Sequence, residues 1–174
     1  MIRRETGHAR AGRPARIVAK MNGLLEEGVI SALYAASQAG VEVDLIVRGA
    51  CALRPGVPNF SDNIRVRSIL GRFLEHHRVW FFANGDAPDV WLSSADWMGR
   101  NMFKRIEVAF PVRDPALRQR VIDEGLLVYL ADNRDAWTLS AAGDWAKAAP
   151  RGRAQSRSAQ GELLARMRGP DDSD

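Results

Sequence analysis

Residues 16–47 read RIVAKMNGLLEEGVISALYAASQAGVEVDLIV, and this stretch decides the fold. Its first six residues, 16–21, are short, apolar and β-branched, as a buried strand is. Asn22-Gly23 breaks the run. Across residues 26–39, Val29, Ile30, Leu33, Tyr34 and Ala36 recur at helical spacing, and Gly40 stands where a helix C-cap is expected. Residues 41–47 are a second β-branched run. Strand, helix, strand in that order predicts a parallel pair with a right-handed crossover, and so an α/β protein.

Residues 48–63 carry Gly49, Pro55, Gly56, Pro58 and Asn59, a long loop leaving the carboxyl end of the second strand. Open α/β sheets bind ligands at that edge. Residues 64–69 alternate as a strand does, with Arg65 and Arg67 on one face. Residues 78–83 and 90–93 read as two strands around an Asn84-Gly85 turn, and 106–112 as another strand. Asp114-Pro115 opens an amphipathic helix to about residue 131, with Asp as N-cap and Pro at N1. Residues 1–15 are rich in Arg, Gly and Ala without periodicity and read as a loose basic lead-in. The expected domain is 16–150, and 151–174, with Arg151, Arg153 and Arg157, reads as a flexible Arg-rich tail.

The composition agrees with one domain. The chain has 174 residues, and 46% hydrophobic with 26% charged residues excludes wholesale disorder. Twenty-five Lys and Arg against 21 Asp and Glu give +4, which favours anionic partners. The single cysteine, Cys51, excludes an internal disulfide framework, suits a reducing cytoplasm, and reads as a small core residue. No apolar run approaches the roughly 20 residues of a membrane helix, and the first residues show no apolar leader segment. The expected location is cytoplasmic.

Candidate chemistry lies between residues 74 and 107. His76 and His77 are adjacent, so on an extended segment only one of them faces a shared site. His76-x-Arg78 opens one strand, and Ser93-Ser94-Ala95-Asp96 closes the next, so the two motifs converge on one point. An imidazole there acts as nucleophile or proton donor near neutral pH, while a guanidinium and hydroxyls bind phosphate oxygens. No His, Cys, Asp and Glu cluster with metal-ligand spacing is visible.

These residues resemble the phospholipase D superfamily pattern H-x-K…G-S-x-N…E, with Arg78 for the Lys, Ser93 for the Gly and Asp96 for the Asn. A longer likeness is more specific. The segments 19–22, 37–41, 44–49, 51–58, 63–69, 71–76 and 93–98 are similar to the C-terminal domain of bacterial type 1 polyphosphate kinase, a resemblance running from about residue 10 to 132. It implies an α/β fold with a phospholipase D-like mixed β-sheet flanked by helices, in a single domain. It also implies reversible transfer of the ATP γ-phosphate to polyphosphate, with Mg2+ arriving on the nucleotide or held by a preceding domain.

Carried over by motif, His76 is the site histidine, and Arg48 and Arg105 contact nucleotide phosphates. Arg78 and Ser94 are further phosphate-binding candidates, Asp96 a supporting residue, and Glu107 is expected to hydrogen-bond the His76 imidazole. The family's phosphorylated histidine lies in the preceding domain, so the implied partners are ATP or ADP, polyphosphate, and either a second copy or a separate N-terminal kinase portion. Gly99 and Phe103 depart from the family's usual Pro and Asp.

From the residues themselves, positions 48–105 hold nine basic residues against five acids, which suits a polyanion. Two alternatives stay open, a homodimeric phospholipase D-like phosphodiesterase and a non-catalytic polyphosphate- or nucleic-acid-binding module. Nucleic acid is disfavoured because few aromatics interleave with the basic residues.

Overall fold

The computed structural model describes residues 1–150 and 152–168. Its centre is the expected crossover: β1 (Arg16–Met21), α2 (Glu27–Gln38) and β2 (Glu42–Val47), with β1 and β2 parallel from Arg16↔Glu42 to Met21↔Val47. Glu26 caps α2, its carboxylate accepting from the Gly28 and Val29 amides at 3.0 and 2.6 Å. β3 (Ile64–Ile69) adds in parallel to β2. β4 (Arg78–Phe82) then returns to the other side of β1 and runs antiparallel to it, with Lys20 facing Val79. β5 (Asp89–Ser93), β6 (Ala109–Pro111) after the short helix α3 (Gly99–Phe103), β7 (Ala136–Leu139) and β8 (Trp145–Lys147) complete a mixed sheet of order β6-β5-β4-β1-β2-β3-β7-β8. The mixed sheet flanked by helices is the architecture that the resemblance implies.

Alternation along β1 divides the core in two. Ile17, Ala19 and Met21 pack with Leu33 and Ala36 of α2 on one face. Val18 packs with Leu126, Val128, Tyr129 and Ala159 on the other. This second layer is α4 (Pro115–Ile122), a π turn over Asp123–Leu127, α5 (Val128–Leu130) and α6 (Ala159–Met167). Asp114 caps α4 as its sequence predicts, accepting from the Leu117 amide at 2.8 Å. Cys51 is half-buried against the first core, and burial raises its thiol pKa.

Several expectations need correction. The lead-in is not loose, because Ile2–Arg10 forms a helix, α1. Its Glu5 is wholly buried and accepts from the Arg16 and Asn84 amides, a tertiary anchor that periodicity cannot reveal. The Asn84-Gly85 turn lies in a longer connection, since Phe82 pairs with Asp89; Asn84 and Gly85 both have positive φ, and a Cβ on Gly85 would press closely on the His8 ring. The strand expected at 106–112 shortens to β6, and Ile106 is fully exposed. Within the supposed flexible tail, α6 is a capped helix with Ala159 and Gln160 buried. Asp132 holds its start by accepting from the Ala159 amide at 2.7 Å, a contact far apart in sequence. Arg151 and residues 169–174 of that tail lie outside the described residues.

Candidate active site

Antiparallel pairing brings the site together. The carboxyl ends of β1 and β2 meet the start of β4, and Arg78 at that start lies opposite Ser93 at the end of β5. Lys20, Asn22, Arg48, His76, Arg78 and Asp96 therefore share one edge of the sheet.

Arg78 is the hub. Its Nε and Nη2 donate to the two Asp96 carboxylate oxygens at 3.1 and 3.0 Å, and its Nη1 donates to the His76 carbonyl at 2.7 Å. Nη1 also lies 3.0 Å from His76 Nδ1. A guanidinium only donates, so Nδ1 must accept, and the neutral imidazole carries its proton on Nε2. Four of the five Arg78 N–H groups are thus spent inside the protein. Arg78 therefore serves as a strut for His76 and keeps a single N–H for any ligand. Asp96 is buried, which favours its neutral acid, but the Arg78 bonds and the Asn22 amide at 2.7 Å outweigh this and hold its carboxyl below the usual range.

Glu107 does not hydrogen-bond His76. Its carboxylate accepts from the Ser94 hydroxyl and from Asn101 Nδ2, the latter at 2.5 Å. These bonds, Ser94 first, lower its pKa, and the charges of Arg105 and Arg78 add to the effect. The Ser94 hydroxyl also accepts from the Val108 amide at 3.0 Å, so it braces this turn and is not free for a phosphate. The shortened β6 explains both corrections, because the chain before Ala109 folds back over Ser94.

Behind His76 lies a buried group unanticipated by the sequence reading. Lys20 Nζ is 2.7 Å from Glu75 and 4.6 Å from the centre of the Tyr129 ring. Burial lowers the Lys20 pKa, and Arg48 and Arg78 push in the same direction against Glu75. The Tyr129 hydroxyl pKa is raised by burial and by Glu75. His77 packs against Tyr129, with ring centres 5.4 Å apart and ring planes tilted by 45°. Burial, reinforced by Lys20, lowers its pKa to about 4.

The basic residues sort by partner. Arg65 pairs with Asp44 at 2.7 Å, Arg67 donates to the Leu130 carbonyl at 2.6 Å, and Arg54 to that of Ala141 at 3.1 Å. These contacts tie β3 to β2, β3 to α5, and the loop after β2 to the turn after β7. Arg48 differs, for its Nη1 is buried at the end of β2 without a hydrogen-bond partner among the described residues. Asn22 Nδ2 is in the same condition on the neighbouring strand end, where the Gly49 amide donates to the Asn22 carbonyl at 2.9 Å. Asn-Gly read as a strand breaker concealed this second donor. Arg105 is exposed beside Glu107.

The carboxylates here do not make a magnesium site. Asp96, Glu75 and Glu107 are each engaged by cationic or amide donors, and no group of three His, Cys, Asp or Glu is placed to hold a metal among the described residues. No helix among these residues is long and apolar enough to cross a membrane.

Comparison with known proteins places this geometry among relatives. The family described as polyphosphate kinase C-terminal domain 2 matches residues 1–160. Over 144 residues the chain is 65% identical to a polyphosphate kinase of Burkholderia cenocepacia strain HI2424, covering 83% of this chain and 21% of that protein. It is 61% identical over 166 residues to one of Burkholderia vietnamiensis strain G4, covering 95% of this chain and 24% of that protein. The crystal structure of polyphosphate kinase from Porphyromonas gingivalis superposes with a TM-score of 0.89 at 42% identity, covering 95% of this chain and 25% of that one. The chain therefore spans between a fifth and a quarter of the length of these relatives.

Proposed function

The chain belongs to the polyphosphate kinase family as its C-terminal domain, and from that premise we propose that it supplies one side of a phosphoryl-transfer site, binding the phosphates of ATP or of polyphosphate. The reaction moves the γ-phosphoryl group of ATP to the end of a polyphosphate chain, leaving ADP, and runs in reverse with ADP as acceptor. The preceding part of a polyphosphate kinase completes the site. Magnesium comes with the nucleotide or with that part, and the compartment is the cytoplasm, where ATP is made.

The observation that carries this reading is Arg48 Nη1, buried without a hydrogen-bond partner among the described residues at the same end of the sheet as the oriented His76. A buried guanidinium N–H without an acceptor is costly, and a phosphate oxygen satisfies it with a charge-assisted bond. His76, with its proton fixed on Nε2, donates to an oxygen of the transferring group and steadies the charge there. Arg105 adds positive charge at the open side. Phosphoryl transfer asks the protein mainly for such positioning and charge neutralisation.

The surface beyond the site suits a large partner. Phe103, Val108 and Phe110 are 75%, 61% and 51% exposed along one segment, and Phe103 is a departure from the family's polar residue. Burying these residues against the rest of a kinase would remove contiguous apolar surface from water. The phosphodiesterase alternative is less well served, because its motif cation is replaced by Arg78, which Asp96 occupies.

Titration calorimetry of the chain with tripolyphosphate is the test, followed by addition of the N-terminal remainder of the Burkholderia cenocepacia enzyme with polyphosphate, ADP and Mg2+. The expected result is binding by the chain alone and ATP formation only with the added part, lost in His76→Ala. Absence of tripolyphosphate binding overturns the reading. ATP formation by the chain alone overturns the need for a partner.

A further inference from the structure

Between β3 and β4, the segment 71–77 that delivers His76 has no strand partner among the described residues, and residues 70–74 are exposed. What holds it is a side chain from the C-terminal helix. Gln160 is 6% exposed and lies against this segment. Its Oε1 accepts from the Phe73 amide at 2.9 Å, and its Nε2 donates to the Phe73 carbonyl at 2.8 Å. One side-chain amide thereby supplies both bonds that a neighbouring strand would make. The same Nε2 donates to Glu75 Oε1 at 2.8 Å, and the other oxygen of Glu75 takes Lys20. A Cβ on Gly71 would overlap Gln160 Oε1, so the segment passes as close as a glycine permits.

Gln160 is itself fixed. Asp132 accepts from the neighbouring Ala159 amide at 2.7 Å, and the Ser158 hydroxyl donates to Asp135 at 2.5 Å while accepting from the Gly161 amide at 3.2 Å. The chain of contacts runs from the end of α5 through α6 and Gln160 to Phe73, Glu75 and the adjacent His76.

We propose that Gln160 is a positioning residue, which sets the place of His76 over the phosphate-binding edge by clasping residues 71–75. It touches neither substrate nor the imidazole and acts through the backbone of Phe73 and the carboxylate of Glu75. The consequence for phosphate binding rests on the functional reading above. The geometric claim does not.

Gln160→Met removes all three bonds at similar volume. Gly71→Ala disturbs the same contact from the opposite side and leaves α6 untouched. Two readouts apply: the 15N resonances of the His76 ring nitrogens without ligand, which report tautomer and surroundings, and tripolyphosphate affinity by calorimetry. The expected result is a shifted His76 Nδ1 resonance in both variants, with an affinity loss of about three- to tenfold. A purely structural role would lower the unfolding midpoint and leave the His76 resonances of the folded protein in place, and that outcome overturns the proposal. If Gln160→Met fails to fold, Gly71→Ala decides alone, and unchanged resonances there overturn it. If the unaltered chain binds no tripolyphosphate, the functional reading fails while the ligand-free resonances still judge the clasp.

Discussion

The guanidinium of Arg78 holds both oxygens of Asp96 and, with the nitrogen left over, accounts for the lone pair of His76 Nδ1. A histidine exposed to solvent thereby gains a defined tautomer from an ion pair that is almost wholly buried, with side-chain exposures of 12% and 6%. Removing one partner leaves the other charge without compensation. Asp96→Ala is expected to cost about 3–5 kcal/mol in urea unfolding. Arg78→Lys keeps the charge and loses the two-pronged geometry. It should remain folded with a displaced His76 nitrogen resonance.

Arg48 offers the opposite case, a guanidinium whose buried Nη1 has no acceptor among the described residues. Arg48→Ala should leave the unfolding midpoint nearly unchanged or slightly raised, since an unsatisfied donor disappears. Tripolyphosphate affinity should fall by roughly ten- to hundredfold, the worth of one charged hydrogen bond. Equal affinity in the variant would remove Arg48 from the site.

His77 is a stability sensor. Its folded pKa of about 4 lies below the ordinary 6.5, so the unfolded chain binds a proton over a range in which the folded protein does not. The favourable term is complete above about pH 6.5 and is lost as pH falls toward about 4, amounting to at most roughly 3 kcal/mol. Lys20, Arg78, Glu75 and Tyr129 surround the ring and share in the titration. His77→Phe keeps an aromatic ring against Tyr129 and should flatten the stability profile between pH 4 and 6.5. A profile with unchanged slope would place the titrating group elsewhere.

The buried pair of Lys20 and Glu75 should behave non-additively. Lys20→Met alone strands the Glu75 carboxylate, with an expected cost of about 3–5 kcal/mol. Adding Glu75→Gln removes the stranded charge and should recover much of that loss. A double variant as unstable as the sum of the two single variants would show that the pair carries no coupling.

The crossover from β1 to β2 was legible because its signals are local: β-branched runs, helical spacing, and Gly40 at a positive φ of 92°. The two terminal helices were not. α1 is Arg-rich, and its decisive residue is a buried glutamate whose partners, Arg16 and Asn84, lie in other elements. α6 has a conventional Ser158 cap, but its docking depends on Asp132, remote in the chain. In the candidate site, motif singled out His76 and Asp96, but not the link that the Arg78 guanidinium makes between them. The roles of Arg78, Ser94 and Glu107 were exchanged because residue type shows that a group can bind phosphate, whereas only geometry shows that its donors are already spent.

One seam runs through the sheet. β1 and β4 alone join the three strands β4, β5 and β6 to the remaining five, through the pairs from Ile17↔Phe82 to Lys20↔Val79. Arg48 and Lys20 stand on one bank of that seam, and His76, Arg78 and Asp96 on the other. During folding the first bank can zip from consecutive segments, while β4 must travel back past two finished strands to reach β1. Assembly of the candidate site should consequently wait on β4, and a nascent chain that has made only β1, β2 and β3 carries Lys20 and Arg48 in register without His76.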